Sequence, residues 1–205
     1  MFPEYWNQAT QDLTTRDPVL KTLIPAYTGL TLVSRGDAFS TLARSIVGQQ
    51  ISVKAAESVW KKLISQIQEP SPIAIANTDS TALRACGLSG RKVEYLQDLA
   101  RKFLSGEVNT ASWHEMEDEL LIRDLVKLKG IGRWTAEMFM IFHLLRPNVL
   151  PLDDIGLQRA ISLHYKQSQP ISRLEMQEIA KIWEPWRSVA TWYLWRSLDP
   201  VPVEY

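Results

Sequence analysis

The stretch from Leu125 to Ala136, Leu-Val-Lys-Leu-Lys-Gly-Ile-Gly-Arg-Trp-Thr-Ala, constrains the fold of this chain more than any other. Leu125 and Leu128 are three residues apart, the spacing that one buried face of a helix requires. Gly130 and Gly132 then interrupt the helix, because glycine adopts left-handed backbone and lets other atoms approach closely. The pattern predicts two helices joined by a tight Gly-Ile-Gly turn.

This turn has the features of an anion site. Its backbone N–H groups lie where a second helix is predicted to start, near Arg133, at the positive end of that helix dipole. Lys127, Lys129 and Arg133 add positive charge around them. A lone Gly-x-Gly turn is more often a plain corner between buried helices, and the turn by itself leaves that alternative open.

The rest of the chain is predicted to be helical as well. No segment shows sustained alternation of apolar and polar residues, so strands are not expected. Roughly ten short helices fit the apolar spacing. Among them are 38–47 after Asp37, an acidic helix over 113–121 opened by Ser112, and 155–165 after Asp154. Gln49 and Gln50 fall in a polar break between two apolar helices and are expected to project outward.

Composition limits the classes of function. The 205 residues include 45% hydrophobic ones, enough for one large domain or two small lobes. The 23 basic and 23 acidic residues cancel, so a nucleic-acid surface would have to be a local patch. A single cysteine, Cys86, excludes an internal disulfide and a four-cysteine metal site. No apolar run would span a bilayer and residues 1–6 do not resemble a signal peptide, so an intracellular protein without a membrane partner is expected.

Two adjacent carboxylates, Asp153 and Asp154, follow Pro151 and precede a predicted helix. Either could serve as the N-cap, which alone is a sufficient reason for an aspartate there. A carboxylate at a helix N-terminus also stays ionised, because the dipole and the N–H groups favour its charged form. Such an anion could stabilise a cation that develops on a sugar, or accept a proton from water. The three histidines are scattered without ligand spacing, which argues against metal-dependent hydrolysis.

The pattern Leu-x-x-Leu-x-Gly-Ile-Gly-x-x-Thr-Ala, followed by Pro-x-Asp-Asp, resembles the helix-hairpin-helix DNA glycosylase superfamily. Three further stretches are similar to the 3-methyladenine DNA glycosylase II (AlkA-type) branch, and all of them occur in the expected order. They are Ser45-Ile-Val-Gly-Gln-Gln-Ile-Ser52, Leu83-Arg-Ala-Cys-Gly-Leu-Ser-Gly-Arg-Lys92 and Trp186-Arg-Ser-Val-Ala-Thr-Trp-Tyr-Leu-Trp195.

The resemblance implies an all-α, two-lobed helix-hairpin-helix glycosylase fold, with DNA and a flipped base meeting in a cleft between the lobes. It implies the compact form, without the N-terminal β domain of the larger members. The expected segments are N-terminal helices over 1–36 that pack on the C-terminal lobe, a central helical lobe over 37–121, and a lobe over 122–205 with the hairpin and the catalytic aspartate.

The resemblance also implies roles for individual residues. The catalytic aspartate maps best to Asp154, with Asp153 as support or second choice, and Gln50 maps to the wedge that fills the gap left by the flipped base. A structural Na+ or K+ ion is expected at the carbonyls of Leu128 and Gly130, with no other cofactor. The DNA-binding set is Gln49, Gln50, Lys129, Gly130, Ile131, Gly132, Arg133 and Thr135, and the base-pocket set is Trp134, Met138, Ile155 and Trp195.

One departure from the superfamily concerns the reaction itself. Members that also cleave the DNA strand carry a lysine in the hairpin, where this chain has Trp134. Without that amine no Schiff base can form with the sugar, so a hydrolase without lyase activity is expected.

The expected function is therefore a monofunctional DNA glycosylase of base excision repair that acts on alkylated purines, of the 3-methyladenine and 7-methylguanine type, in double-stranded DNA. Two alternatives stay open: a non-catalytic, lesion-sensing DNA-binding protein, and a glycosylase for oxidised or deaminated bases. The resemblance favours a monomer, associated with DNA in the cytoplasm or nucleoid of a bacterium or in the nucleus of a eukaryote.

Overall fold

The computed structural model describes residues 3–34 and 36–198, and every regular element in that part of the chain is a helix. The predicted all-α class is confirmed. Short 3-10 turns occur at Ile24–Tyr27, Thr110–Ser112 and Lys181–Trp183. The α-helices are α1 (Trp6–Arg16), α2 (Pro18–Leu23), α3 (Ala38–Gly48), α4 (Val53–Ile67), α5 (Pro72–Asn77), α6 (Ser80–Ala85), α7 (Gly90–Ser105), α8 (Asp118–Leu125), α9 (Arg133–Phe142), α10 (Ile155–Tyr165), α11 (Arg173–Ala180) and α12 (Arg187–Leu198).

The predicted helix over 113–121 is wrong. The chain instead forms the 3-10 turn Thr110–Ser112, and α8 begins only at Asp118. The Ser112 hydroxyl does not cap a helix, since it donates a hydrogen bond back to the Asn109 carbonyl at 3.0 Å. Trp113 is fully buried and its ring packs edge-on against Phe139, with centroids 5.3 Å apart. Burying this large ring overrides the local helical pattern, as tertiary packing commonly does.

Packing divides the described residues into two units. One unit holds residues 3–34 and 140–198, and the other holds residues 36–139, which include the Gly-Ile-Gly turn. The boundaries expected after residues 36 and 121 stay predictions. Residues 1–2, 35 and 199–205 of the expected segments lie outside the described residues. In the described ranges, no helix is long and apolar enough to cross a membrane.

Each unit has its own helical core. In the first unit α12 packs against α1, α2 and α10, and the Trp6 ring meets the Trp192 ring edge-on at 5.2 Å. In the second unit α7 packs against α3, α5 and α6. The rings of Phe39 and Phe103 meet edge-on at 5.3 Å on the contact of α3 with α7. Helix α7 therefore forms the centre of the second unit.

Asp17 fastens the N-terminal helices to the core of the first unit. It is 1% exposed, and its Oδ1 accepts the backbone N–H groups of Val19 and Leu20 as the N-cap of α2. Its Oδ2 accepts the Tyr165 hydroxyl and the Trp183 indole N–H, each at 2.7 Å. Burial, together with this carboxylate, raises the pKa of Tyr165. One buried anion thus satisfies four donors from three elements.

We expect Asp17→Ala to lower the free energy of unfolding by about 4 kcal/mol, because a helix cap is lost and two buried donors are left without a partner. The control is Asp79→Ala, which removes an exposed N-cap on α6 and should cost much less, because no buried donor loses its partner. Urea denaturation of both variants measures the difference, and equal losses would contradict the role given to Asp17.

Candidate functional site

The Gly-Ile-Gly turn joins α8 to α9 as predicted, but α8 ends at Leu125, so Leu128 lies in the turn and not on the helix as expected. The Leu128 N–H donates to the Leu125 carbonyl and the Ile131 N–H to the Leu128 carbonyl, both at 3.0 Å. Helix α9 then opens with the Ala136 N–H on the Gly132 carbonyl, also at 3.0 Å. The amides that precede Ala136 are those a helix leaves without intrahelical acceptors. This hairpin therefore presents N–H donors at a helix N-terminus, the arrangement that binds phosphate.

The two glycines of the hairpin have different physical roles. Gly130 has φ +82°, and a Cβ atom there would lie 2.3 Å from Cδ2 of Tyr95 on α7. Gly132 is exposed, and a Cβ atom there would meet no atom within 4 Å. Gly130 is thus demanded by backbone conformation and by contact with α7, whereas Gly132 leaves open space beside the helix N-terminus.

The basic side chains around the hairpin are paired with carboxylates. Lys129 Nζ lies 2.8 Å from Glu94, and Arg133 makes two bonds with Glu119, at 2.5 and 3.0 Å. Arg133 also bonds Glu137 at 2.9 Å. The hydrogen bonds that Arg133 donates to Glu119 are the largest cause that raises the pKa of Arg133. The hairpin therefore carries less uncompensated positive charge than its sequence indicates, and DNA contacts by Lys129, Arg133 and the buried Thr135 stay predictions.

The break between α3 and α4, which we call the wedge loop (residues 48–52), contains the two glutamines. Gln50 is exposed and has φ +58°, an uncommon conformation for a residue with a side chain. Gln49 does not project outward as expected, because its side-chain Nε2 donates to the Gly130 carbonyl at 2.7 Å. The hairpin and the wedge loop are therefore in direct contact.

This bond concerns the expected cation site. The Gly130 carbonyl already accepts the Gln49 amide, and the Leu128 carbonyl accepts the Ile131 N–H. A carbonyl oxygen has two lone pairs, so both oxygens retain the capacity to bind an ion. The Na+ or K+ site stays a prediction. Among the described residues, no group of three or more His, Cys, Asp or Glu side chains could hold a metal ion.

Sequence analysis did not single out Lys92 as a contact of the wedge loop. Its Nζ donates to the carbonyls of Val47 and Gln49, each at 2.8 Å. Burial lowers the pKa of Lys92. The sequence does offer one signal for a partner of Lys92: it lies in the first turn of α7, where the helix dipole disfavours a cation. Such a position suggests a bound anion. The partner in the structure is instead the pair of carbonyls at the C-terminal end of α3.

A cavity of about 670 Å³ lies in the second unit. Trp134 and Met138, one turn apart on α9, line it together with both glutamines of the wedge loop. Trp134 is half-buried and Met138 is buried. The remaining lining residues are Arg44, Ser45, Gly48, Ile51, Val53, Lys54, Ala56, Glu57 and Thr135. Two of the four residues expected in the base pocket therefore line one apolar cavity.

The other two expected pocket residues accompany Asp154 in the first unit. The Trp195 indole N–H donates to Asp154 Oδ1 at 2.8 Å, and its ring stacks on Phe142 with centroids 5.7 Å apart. Ile155, the first residue of α10, is 71% exposed. A Cβ atom on Gly156 would lie 3.1 Å from Asp154 Oδ1 and 3.2 Å from the Trp195 ring, so this helix start is closely packed.

The two adjacent aspartates have different environments. Asp154 is 5% exposed and is the N-cap of α10, with Oδ1 accepting the Leu157 N–H at 2.6 Å. The carboxylate therefore lies at the positive end of the α10 dipole. Asp153 is exposed and pairs with Arg173, which is exposed as well. Asp154 is therefore held in one place, whereas Asp153 takes part in a surface ion pair.

Comparison with known proteins identifies the family of this chain. The family model for HhH-GPD superfamily base excision DNA repair proteins matches residues 43–185. A DNA-3-methyladenine glycosylase of Schizosaccharomyces pombe is 32% identical over 80% of this chain and 74% of its own length. A putative DNA-3-methyladenine glycosylase of Bacillus subtilis is 32% identical over 88% of this chain, which spans 66% of that relative.

Solved structures give the same result for the fold. The S. pombe 3-methyladenine DNA glycosylase in complex with abasic DNA superposes with a TM-score of 0.82 at 29% identity, covering 97% of this chain and 99% of that one. The chain belongs to the HhH-GPD superfamily of base excision DNA repair proteins, in its 3-methyladenine DNA glycosylase branch. The resemblance and the fold inferred from the motifs are confirmed.

We expect Gly130→Ala to lower the free energy of unfolding by roughly 3 kcal/mol, because a left-handed alanine is strained and its Cβ would overlap the Tyr95 ring. Gly132→Ala is the matched control on the other side of Ile131, where a Cβ atom would meet no neighbour. The free energy of unfolding of this variant should stay within about 0.5 kcal/mol of the wild-type value. Chemical denaturation of the two variants makes the comparison. A stable Gly130→Ala protein would contradict the packing described for the hairpin.

Proposed function

We propose that this chain is a monofunctional DNA glycosylase that removes alkylated purines, of the 3-methyladenine and 7-methylguanine type, from double-stranded DNA and leaves an abasic site. The observation that carries the proposal is Asp154, a buried carboxylate fixed by the Leu157 N–H and the Trp195 indole. Family membership supports the reaction class, and the S. pombe relative was solved with abasic DNA.

The proposed step is dissociative. The bond between the base nitrogen and C1′ of the sugar breaks, its electron pair leaves with the base, and positive charge develops on the sugar. Asp154 stabilises that charge as a preorganised anion, which needs no reorganisation at the moment of reaction. Water then adds at C1′ and loses a proton, which completes the abasic site.

The proposed selectivity rests on the charge of the damaged base. Alkylation at purine N3 or N7 makes the base cationic and a good leaving group already. A cation on an aromatic face gains on the order of 1–2 kcal/mol once it is desolvated. We assign this stacking to Trp134 in the cavity of the second unit and to Trp195 beside Asp154. Met138, in the same cavity as Trp134, and Ile155, at the start of α10, are assigned to the base as apolar, non-aromatic surface.

DNA is held in this proposal by the hairpin and the wedge loop. The amides of Gly130 and Gly132 bind a backbone phosphate, whereas the Ile131 N–H is already taken by the Leu128 carbonyl. Gln50 enters the duplex as the base is flipped. Flipping costs a few kcal/mol and costs least for a base that stacks or pairs poorly. The protein would act as a monomer associated with intracellular DNA.

Asp154→Asn is expected to lower the rate of base release from methylated duplex DNA on the order of a hundredfold, because asparagine keeps the cap on α10 and removes the negative charge. Asp153→Asn is the matched control and should stay within about threefold of wild type, since an exposed ion pair contributes little. Chromatography of the released bases gives both rates. Equal release by wild type and Asp154→Asn would refute the assignment of the carboxylate.

The same assay separates the two alternative functions. A non-catalytic lesion sensor would bind the methylated duplex and release no base. A glycosylase for oxidised or deaminated bases would release those bases in preference to alkylated purines. Asp154 favours the enzyme over the sensor, because asparagine would also cap α10, and the negative charge of aspartate serves a developing cation but repels an anionic backbone.

We also expect no covalent complex when the protein is incubated with damaged duplex and borohydride, because the hairpin has Trp134 where a Schiff-base lysine would be needed. A lysine-bearing glycosylase with lyase activity, treated in parallel, provides the positive control. The measurement is a gel shift under denaturing conditions. A trapped complex that grows with base release would contradict a mechanism that uses water alone.

A further inference from the structure

Gln49 is held at both its side chain and its backbone. The side-chain Nε2 donates to the Gly130 carbonyl of the hairpin at 2.7 Å. The backbone carbonyl accepts Nζ of Lys92 at 2.8 Å, and the same ammonium group donates to the Val47 carbonyl at 2.8 Å. Gln49 therefore connects the end of α3, the start of α7 and the hairpin.

Lys92 is well suited to this contact. The last carbonyls of a helix have no intrahelical donors, and the negative end of the dipole favours a cation. Val47 belongs to the last turn of α3 and Gln49 is its C-cap, so both acceptors lie at that end. The Lys92 side chain is partly buried, which directs its ammonium group away from solvent and onto these two carbonyls.

Helix α7 contacts both DNA-binding segments through residues on one face. Lys92 and Tyr95 are three residues apart on α7, a spacing that places them on the same side of a helix. Lys92 binds the wedge loop, and the Tyr95 ring lies against Gly130, where it leaves no space for a Cβ atom. A rigid helix therefore sets the distance between the wedge loop and the hairpin.

The residue that follows this restraint is Gln50. It is exposed and adopts φ +58°, so its direction depends on the fixed geometry of Gln49. Residues with side chains hold such a backbone conformation only where the surroundings impose it. Two hydrogen bonds of Gln49 restrain the neighbouring Gln50: Lys92 donates to the Gln49 backbone carbonyl, and the Gln49 side chain donates to the Gly130 carbonyl.

We propose that Lys92 is a positioning residue for base flipping, because it fixes the wedge loop to α7 so that Gln50 enters the duplex at a set distance from the hairpin-bound phosphate. This inference rests on the proposed function and adds to it a residue that need not touch DNA. Loss of Lys92 would leave the wedge loop to be ordered during flipping, while the hairpin would still bind phosphate.

The test uses the full chain and a duplex that contains a tetrahydrofuran abasic site with 2-aminopurine as its neighbour. Insertion of a wedge unstacks 2-aminopurine and raises its fluorescence, and anisotropy of a labelled strand reports affinity separately. With Lys92→Met we expect the fluorescence change at saturating protein to fall to about a third or less, with affinity within about twofold of wild type. Release of methylated bases in single turnover should slow by about tenfold, because orientation is lost and binding is kept.

Four single variants and one double variant accompany Lys92→Met. Gln50→Ala should give the same loss of fluorescence, and Lys92→Met combined with Gln50→Ala should lose no more than either alone, since residues that act as one unit are not additive. Gln49→Ala keeps both Lys92 bonds, which go to backbone carbonyls, and removes the other restraint on the wedge loop, the side-chain bond to Gly130. It should also lower the fluorescence change, and it tests the restraint of the loop if Lys92→Met folds poorly. Lys92→Arg still donates to both carbonyls and should recover most of the signal. Lys181→Met removes a surface charge on a short turn of the other unit and should change neither readout.

The outcomes separate this inference from the proposed function. An active wild type with a full fluorescence change in both Lys92→Met and Gln49→Ala would refute the positioning role. Loss of affinity and of the unfolding midpoint together, in both variants, would refute it too, because Lys92 would then be a structural residue. A wild type that shows the fluorescence change but releases no base would overturn the proposed function and leave the wedge geometry supported.

Discussion

The proposed chemistry depends on one restraint: the Asp154 carboxylate is held in place at the start of α10. A backbone N–H from Leu157 and the indole N–H of Trp195 meet on the same oxygen, at 2.6 and 2.8 Å. A Cβ atom on Gly156 would lie 3.1 Å from Asp154 Oδ1 and 3.2 Å from the Trp195 ring, so a side chain there would press on both. An anion with this few degrees of freedom can stabilise a cation without first reorganising. Asp153, one residue earlier, makes only a surface ion pair with Arg173. The restraint on Asp154 therefore comes from its own hydrogen bonds and not from the local backbone alone.

The hairpin and the wedge loop of the second unit are restrained in a similar way, by contacts between residues far apart in sequence. The conformation of the hairpin depends on the left-handed backbone of Gly130 and its contact with Tyr95. The position of the wedge loop depends on the hydrogen bonds of Gln49. The carboxylates paired with Lys129 and Arg133 lower the net charge of this surface. Affinity for DNA would then depend on oriented backbone donors more than on basic side chains, which agrees with a chain of zero net charge.

Sequence predicted most of the helices, because caps and apolar spacing are local signals. Asp37, Ser52 and Ser172 cap the helices that follow them, and Asp154 caps α10. The helix over 113–121 failed because burial of Trp113 against a distant ring decides that segment. Tertiary packing limits prediction of the site as well. The hairpin and the two adjacent aspartates can be recognised from the sequence, whereas the contacts of Lys92 and Gln49 depend on which helices pack together. The roles given to Trp134, Trp195 and Gln50 came from resemblance to the family.

The most direct test of the central claim is the affinity of the protein for two duplexes that differ in one charge. One contains a neutral tetrahydrofuran abasic site and the other a cationic pyrrolidine at the same position, which imitates the charge that develops on the sugar. If Asp154 stabilises the cation, wild type should bind the cationic duplex at least about tenfold more tightly than the neutral one. Asp154→Asn should lose this preference, and Asp153→Asn should keep it. An equal preference in wild type and Asp154→Asn would show that another group stabilises the cation and would contradict the account.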